Sequence, residues 1–529
     1  MFQATEEFLT FRLFCTDTSP ELSGAFESTR WNRIALQESH QYAFLRHAIV
    51  TIGSLSKNIK ETLNKNDIPP STGPELWNNP PVWLRGNNDF ALRQYNKFLR
   101  GSRQALVTGP EGQRLALIVC LLIICIETLQ WHHLQVLSHI YSGVQLLDSF
   151  LASQEVAMQA GFPPYIIESE IIVQFRMLEV EAKMLFDPFP ASNHHIQNLE
   201  GQVLTSSMPE SFSSVNEAKY YLDLITRRIR HFIASSRPVK PSKTNSGHVD
   251  TSCIDPELLS LTPPGLRSTF DNPSPPSVLT RDLNFYTSLT HLTSLLSTWQ
   301  SSFTPLFQSA TDPSSPAYLP TLLLAISSEA LTINLDTVFS TSTSLLLAYD
   351  THFSSFTRIV ALSSTILHHP SCASFLSQNN NITSSTGLIG PLRLVAEKCR
   401  NRTLRHEAIS LLRLRPWREG VWWSCSSAQL GAWLAAVEEE DVDEREEVMP
   451  EWARARLLEV GIWEEGVVTT VKVVGVRGEG NDAAVRVGEW VWRVCGEEEG
   501  VGVVVGGWER DVGRLVSVGS GFEEVGECW

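Results

Sequence analysis

Gly387–Ser424, GLIGPLRLVAEKCRNRTLRHEAISLLRLRPWREGVWWS, reads as two helices and a tight connection. Pro391 can open the first helix, since a proline at the first helical position gives up only an amide that would be unpaired anyway. Leu392, Val395 and Cys399 then share a face. Leu404, Ala408, Leu411 and Leu412 recur at helical spacing in the second. Between Pro391 and Arg418, eight bases (Arg393, Lys398, Arg400, Arg402, Arg405, Arg413, Arg415 and Arg418) stand against Glu397 and Glu407. Such a stretch can serve as a phosphate-contacting surface. It can equally be a helical face that pairs with the acidic run Glu438–Glu447, and that reading takes precedence because charge runs usually only solvate.

The same helical period extends outward in both directions. Toward the amino terminus, Tyr42, Leu45, Ala48, Ile49, Ile52, Leu55 and Ile59 form one stripe, with Phe14, Phe26 and Trp31 as anchors before it. A helix near Phe90–Leu106 follows, then a helical hairpin over Arg114–Leu151 whose run Leu115–Ile126 is apolar on every side. That run is short of the roughly 20 residues a bilayer requires, so it is expected in a protein core. Ile167, Ile171, Phe175, Leu178, Ala182 and Leu185 recur at steps of three and four, and Asp187-Pro188 stops the helix. Ser214 and Glu217 predict a capping box for a helix carrying Ala218, Leu222, Ile225, Ile229 and Phe232. Three further stripes lie at Tyr286–Phe303, Leu322–Ile333 and Leu346–Val360, and Leu430, Trp433, Leu434 and Val437 close the series.

These elements predict an all-α, multi-helix protein in two lobes: residues 1–233, a Ser/Pro-rich linker at 234–280, and residues 281–440. The linker is poor in aromatics and buries too little to repay its ordering. Residues 441–529 form an acidic Val/Gly/Trp-rich tail whose β-branched stretches suit a small hairpin. Residues 438–529 hold 23 acids against 9 bases, so nearly all of the net charge of −16 belongs to this end of the chain.

Catalytic and metal signatures are sparse. The nine cysteines are dispersed without any C-x2-C spacing, which suits reduced thiols in the cytosol or nucleus and offers no zinc ribbon. His132, His133 and His139 gather near Glu127 without the H-E-x-x-H spacing that puts two imidazoles on one helix face, and His194 and His195 read as loop residues. Gly500, Gly502 and Gly506 miss the dinucleotide spacing. Consecutive acids between Glu438 and Glu444 read as hydrated. The opening MFQATEEFLTF has acids where a secretory leader has bases, so no leader is expected. No catalytic, cofactor-binding, metal-binding or DNA-contacting residue is assigned, and the chain is read as a non-enzyme without cofactors.

The order of several segments resembles the fungal-specific transcription factor domain, the regulatory region found downstream of the Zn2Cys6 binuclear cluster. The matching pieces are Phe8–Leu55, Ala91–Phe98, Leu115–Leu147 with Glu127, His139 and Gly143 at family positions, Phe175–Phe186, Val215–Phe232, Phe353–Leu367, and PLRLVAEKC with RHEAISLLRLRPWREGVWWS. Trp423 stands where the family usually has an acid. The six-cysteine cluster itself does not occur in these residues. The resemblance implies an all-helical transcription regulator in the nucleus. Its partners would be the transcription machinery or a partner regulator, with a homodimer and a small-molecule effector among the associations it allows. It implies DNA contact only where a zinc cluster lies upstream, and no membrane. A helical interaction scaffold unrelated to transcription is the competing reading, and an enzyme working in the cleft between lobes is a third.

Overall fold

A computed structural model describes residues 4–19, 22, 31–65, 89–105, 109–130, 132–159, 163, 165, 167–185, 194, 201–235, 266–269, 283–337, 347–370, 387–414, 417–420, 422–465, 468–477 and 484–493. Among the described residues the chain is all-α through residue 439, apart from one short strand and one two-residue hairpin. The helices are α1 (Thr5–Leu13), α2 (Trp31–Glu38), α3 (Ala43–Lys65), α4 (Asp89–Ala105), α5 (Pro110–Leu129), α6 (His133–Gln159), α7 (Ser169–Leu185), α8 (Gln202–Ser206), α9 (Val215–Ser235), α10 (Leu283–Ser309), α11 (Tyr318–Thr337), α12 (Phe353–His368), α13 (Ile389–Lys398), α14 (Arg402–Arg413) and α15 (Ser424–Glu439).

Two separate apolar cores organise them. Residues from α1 through α7 form the first, including Phe14, Leu45, Ile52, Phe98, Leu122, Ile140, Phe175 and Leu178. The predicted stripe of α3 is buried from Leu45 to Ile59. Gly143 of α6 lets α7 come close, because a Cβ there would collide with the ring of Phe175. The second core holds α9 through α14 around Trp299, Phe356, Leu392 and Leu412. Thus α9, expected to end the first lobe, buries Ala218, Leu222, Ile225, Ile229 and Phe232 against α10 and α11 instead. Periodicity marks an apolar face but does not say which core the face meets. The predicted cap of α9 is present with a shift of one residue. Ser214 Oγ accepts the Glu217 amide at 3.2 Å, and the Glu217 carboxylate accepts Ser213, not Ser214, at 2.7 Å. Tyr286 and Phe353, placed on buried stripes by their spacing, lie at the surface, 48% and 51% exposed.

Helices α5 and α11 are each long and apolar enough to cross a membrane by length and composition, yet 78% and 72% of their apolar windows are buried within the protein.

The carboxyl-terminal region is more ordered than a hairpin. β4 (Ala455–Glu465), β5 (Val468–Arg477) and β6 (Ala484–Arg493) form an antiparallel meander, with a bulge between Leu457 and Glu459. β1 (Leu266–Thr269), from within the stretch read as a linker, adds to the outer edge of β4. Leu430, Trp433, Leu434 and Val437 of α15 pack on Ala455, Leu457 and Val473 of this sheet, so the last predicted stripe faces the tail and joins it to the helical body.

Candidate functional site

The quoted stretch folds into α13, α14 and a tight hairpin, β2 (Arg418–Glu419) and β3 (Trp422–Trp423), that leads into α15. Leu392, Val395, Cys399, Leu404, Ala408, Leu411 and Leu412 are all buried, as their spacing predicts. Pro391 is the third residue of α13, within its first turn, and Ile389 opens the helix instead. The helix is bracketed by buried charge of the sign its dipole favours at each end. At its amino end the Glu419 carboxylate accepts the amides of Leu388 (2.9 Å) and Ile389 (2.8 Å), and also Trp417 Nε1 (3.1 Å). Burial pushes the Glu419 carboxyl up, and these three donors oppose the rise. Gly387 is needed there, since a Cβ would collide with that carboxylate. At the carboxyl end of α13, Arg405 donates to the Cys399 carbonyl from Nε and Nη2, and Arg454 donates to the Lys398 carbonyl at 3.2 Å. Both guanidiniums also approach the fully buried Glu438.

The basic residues of the stretch are largely engaged inside the protein. Arg393 pairs with Glu397 and covers the ring of Trp422. Lys398 lies over Tyr349, and Arg400 binds Asp350 at 2.5 Å and the Met449 carbonyl. Arg402 approaches Glu439 at 3.5 Å, its amide donates to the Glu447 carbonyl, and His406 pairs with Glu439 at 2.8 Å. The segment 443–449 runs along the start of α14, joined by an antiparallel bridge between Asn401 and Val448. The acidic partner expected in Glu438–Glu447 is therefore in place through the carboxylates of Glu438 and Glu439, while Glu447 contributes its backbone carbonyl and accepts a hydrogen bond from Thr403. Arg413 is half-buried, and Arg415 lies outside the described residues.

A second polar concentration was hidden in the helix that reads most cleanly from sequence. Beyond the predicted stripe, α7 also buries Gln174, Arg176, Glu179, Glu181 and Lys183, because it lies between the two lobes. Glu179 is fully buried with Lys183 Nζ at 2.7 Å, Arg176 Nη1 at 3.4 Å and Arg227 Nη2 of α9 at 3.7 Å. Burial works to raise its pKa, but Lys183, Arg227 and Arg176 outweigh it and hold the carboxyl down at about 2. Arg176 reaches on to Asp148 at 2.6 Å. His231 of α9 is 1% exposed and faces His194, Nδ1 to Nδ1, at 3.2 Å. Burial and the nearby Lys183 push its pKa down to about 2, so it stays neutral. Glu181 packs directly on Gly420, where φ is +56° and a Cβ would collide with the carboxylate. The hairpin whose Glu419 caps α13 thus also touches α7, in addition to the contact that α9 makes there through Arg227. The sequence signal was the presence of four charges within RMLEVEAK, a pattern equally suited to a solvated helix face.

The other flagged residues have structural surroundings. Glu127 accepts Tyr95 Oη and His132 Nδ1, each at 2.5 Å. Burial tends to raise it, and His132 and Tyr95 outweigh burial and hold it low. Burial lowers the pKa of His139, and Cys120 Sγ donates to its carbonyl. His194 is buried, not in an open loop. His195 and Gly500–Gly506 lie outside the described residues. Trp423 is buried and pairs with Arg418 in the hairpin. Among the described residues, no group of three or more His, Cys, Asp or Glu side chains is placed to hold a metal ion, and Cys15, Cys120, Cys125, Cys399 and Cys425 are free thiols. Burial raises the pKa of Cys120 and Cys125, which suppresses their thiolates. The arrangement joins elements through buried charge.

No protein-family profile, no curated protein and no solved structure matches this chain.

Proposed function

We propose that this chain is the regulatory region of a fungal transcription regulator of the Zn2Cys6 type, located in the nucleus and acting through contacts with the transcription machinery or a partner regulator. One observation supports the reading. The stretches that carry the resemblance supply the interior of the helical body, from Phe14, Leu45 and Phe98 through Ile140 and Phe175 to Ile225, Phe356, Leu392 and Leu412. The family-like REG turn, Arg418–Gly420, serves both the α13 cap and the contact with α7. DNA contact is not assigned to any residue present. Arg393, Arg400, Arg402 and Arg405 are turned toward Glu397, Asp350, Glu439 and Glu438, and phosphate binding there would have to compete with those partners.

The test is to fuse the full chain to an unrelated DNA-binding domain and to measure a reporter carrying that domain's sites, alongside localisation of the unfused chain. The reading expects reporter output to change against the DNA-binding domain alone, and the chain to be nuclear. An unchanged reporter with a cytosolic chain would overturn it and favour a helical interaction scaffold.

A further inference from the structure

The buried end of the basic stretch carries more positive charge than its acids cancel. Arg405 is 0% and Arg454 3% exposed, and both face the single carboxylate of Glu438. Arg405 uses Nε and Nη2 on the Cys399 carbonyl and Nη2 on Glu438, while Arg454 uses Nη2 on the Lys398 carbonyl. Nη1 of each is buried and has no hydrogen-bond partner, and Arg454 Nε, 3.3 Å from Glu438, makes no hydrogen bond either. Arg400 lies at the more exposed side of the group, its Nη1 on Asp350 Oδ2 at 2.5 Å. Three guanidiniums therefore share Glu438 and Asp350. The carboxyl end of α13 adds a partial negative charge of about one half, which still leaves a positive surplus. Burial lowers the pKa of Arg454, and the charges of Arg405 and Arg400 push in the same direction. Three guanidinium nitrogens without a hydrogen bond around one carboxylate are costly, because desolvated N–H groups need an acceptor to meet them. A small anion supplies both the acceptors and the missing charge, and the guanidinium fork suits an oxyanion.

We propose that the junction of α13, α14 and β4 is a binding site for one small inorganic anion, such as phosphate or chloride, held by Arg405 Nη1 and Arg454 Nη1 with Arg400 at its outer edge. The site does not depend on the transcriptional reading. It would tie the Glu438 junction, and with it the sheet, to the helical body in an anion-dependent way.

The experiment uses the full chain in sodium gluconate at constant ionic strength, with inorganic phosphate or chloride replacing gluconate. Scanning calorimetry should show a Tm that keeps rising with the logarithm of anion concentration once that concentration exceeds Kd. Titration calorimetry should find one anion per chain. Arg454→Met keeps the Arg405–Glu438 pair and the Cys399 bonds, and should weaken binding by about tenfold or more. Glu438→Gln removes the competing carboxylate and should tighten binding, an effect that a merely structural Glu438 would not produce. A response unchanged in Arg454→Met overturns the site. Should either variant fail to fold, the wild-type titration decides: one saturable equivalent supports the site, and no saturable binding of either anion overturns it.

Discussion

Acidification should loosen the contact between lobes through one residue, His231. Its ring is buried beside Lys183 and Arg227, and its pKa is pushed down to about 2 from an ordinary value of 6.5. The folded state therefore keeps it neutral throughout the range in which the unfolded chain protonates. A base whose folded pKa is lowered contributes its full stability above the unfolded value, and that stability is lost as pH falls below 6.5. The loss grows by about 1.4 kcal/mol per pH unit, so moving from about pH 7.5 to about pH 5 removes roughly 2 kcal/mol. Unfolding entropy of about 2 cal/mol/K per residue gives the chain on the order of 1 kcal/mol/K, so this term amounts to about 2 °C in Tm if the lobes unfold together, and more if they separate. The assay is scanning calorimetry of wild type and His231→Asn at both pH values and fixed ionic strength. Burial lowers His47, His139 and His291 as well, so wild type carries other acid-sensitive terms. The diagnostic quantity is thus the difference between the two slopes. His231→Asn should fall by about 2 °C less than wild type, and equal slopes would refute the assignment of a neutral buried His231.

Glu419→Ala leaves the Leu388 and Ile389 amides and Trp417 Nε1 buried without their acceptor. At about 1–3 kcal/mol per orphaned donor, the variant should lose at least about 3 kcal/mol in urea unfolding, and a loss below about 1 kcal/mol would contradict the cap. Gly420→Val meets both a φ of +56° and the Glu181 carboxylate. It should increase amide hydrogen exchange in α7 and α13 while leaving α3 protected, and unchanged exchange in α7 would contradict the lobe contact. Purified chain should bind random duplex DNA weakly, uniformly and with steep salt dependence. Enrichment of one motif in a selection at near-physiological salt would reveal a base-reading surface absent from this account.

The helical class was legible because apolar residues recur at three and four over most of the chain, and the residues so marked are the ones buried: Leu45 to Ile59 in α3, Ile171 to Ala182 in α7, and Leu404 to Leu412 in α14. What stayed hidden was the partner of each face. The stripe of α9 is as regular as that of α7, yet it joins the other core, and the stripe of α15 meets a sheet. Leu266–Thr269 lies in a Ser/Pro-rich stretch and gains its strand conformation by pairing with β4. Tertiary context overrides local propensity most easily in such short segments.

Charge followed the same logic. The acidic partner of the basic stretch could be named in advance because Glu438–Glu447 follows it closely in sequence. Arg227, Lys183 and Glu179 come from helices whose order of packing the sequence does not specify, so their cluster could not be anticipated. Taken together, the two charge groups show why the REG turn matters more than its length suggests. One residue, Glu419, satisfies the first turn of α13, and the next, Gly420, admits Glu181 of α7 by lacking a side chain. Glu181 of α7, Gly420, Glu419 and the first amides of α13 are therefore in continuous contact. At the other end of the same helix lies the Arg405–Glu438–Arg454 junction.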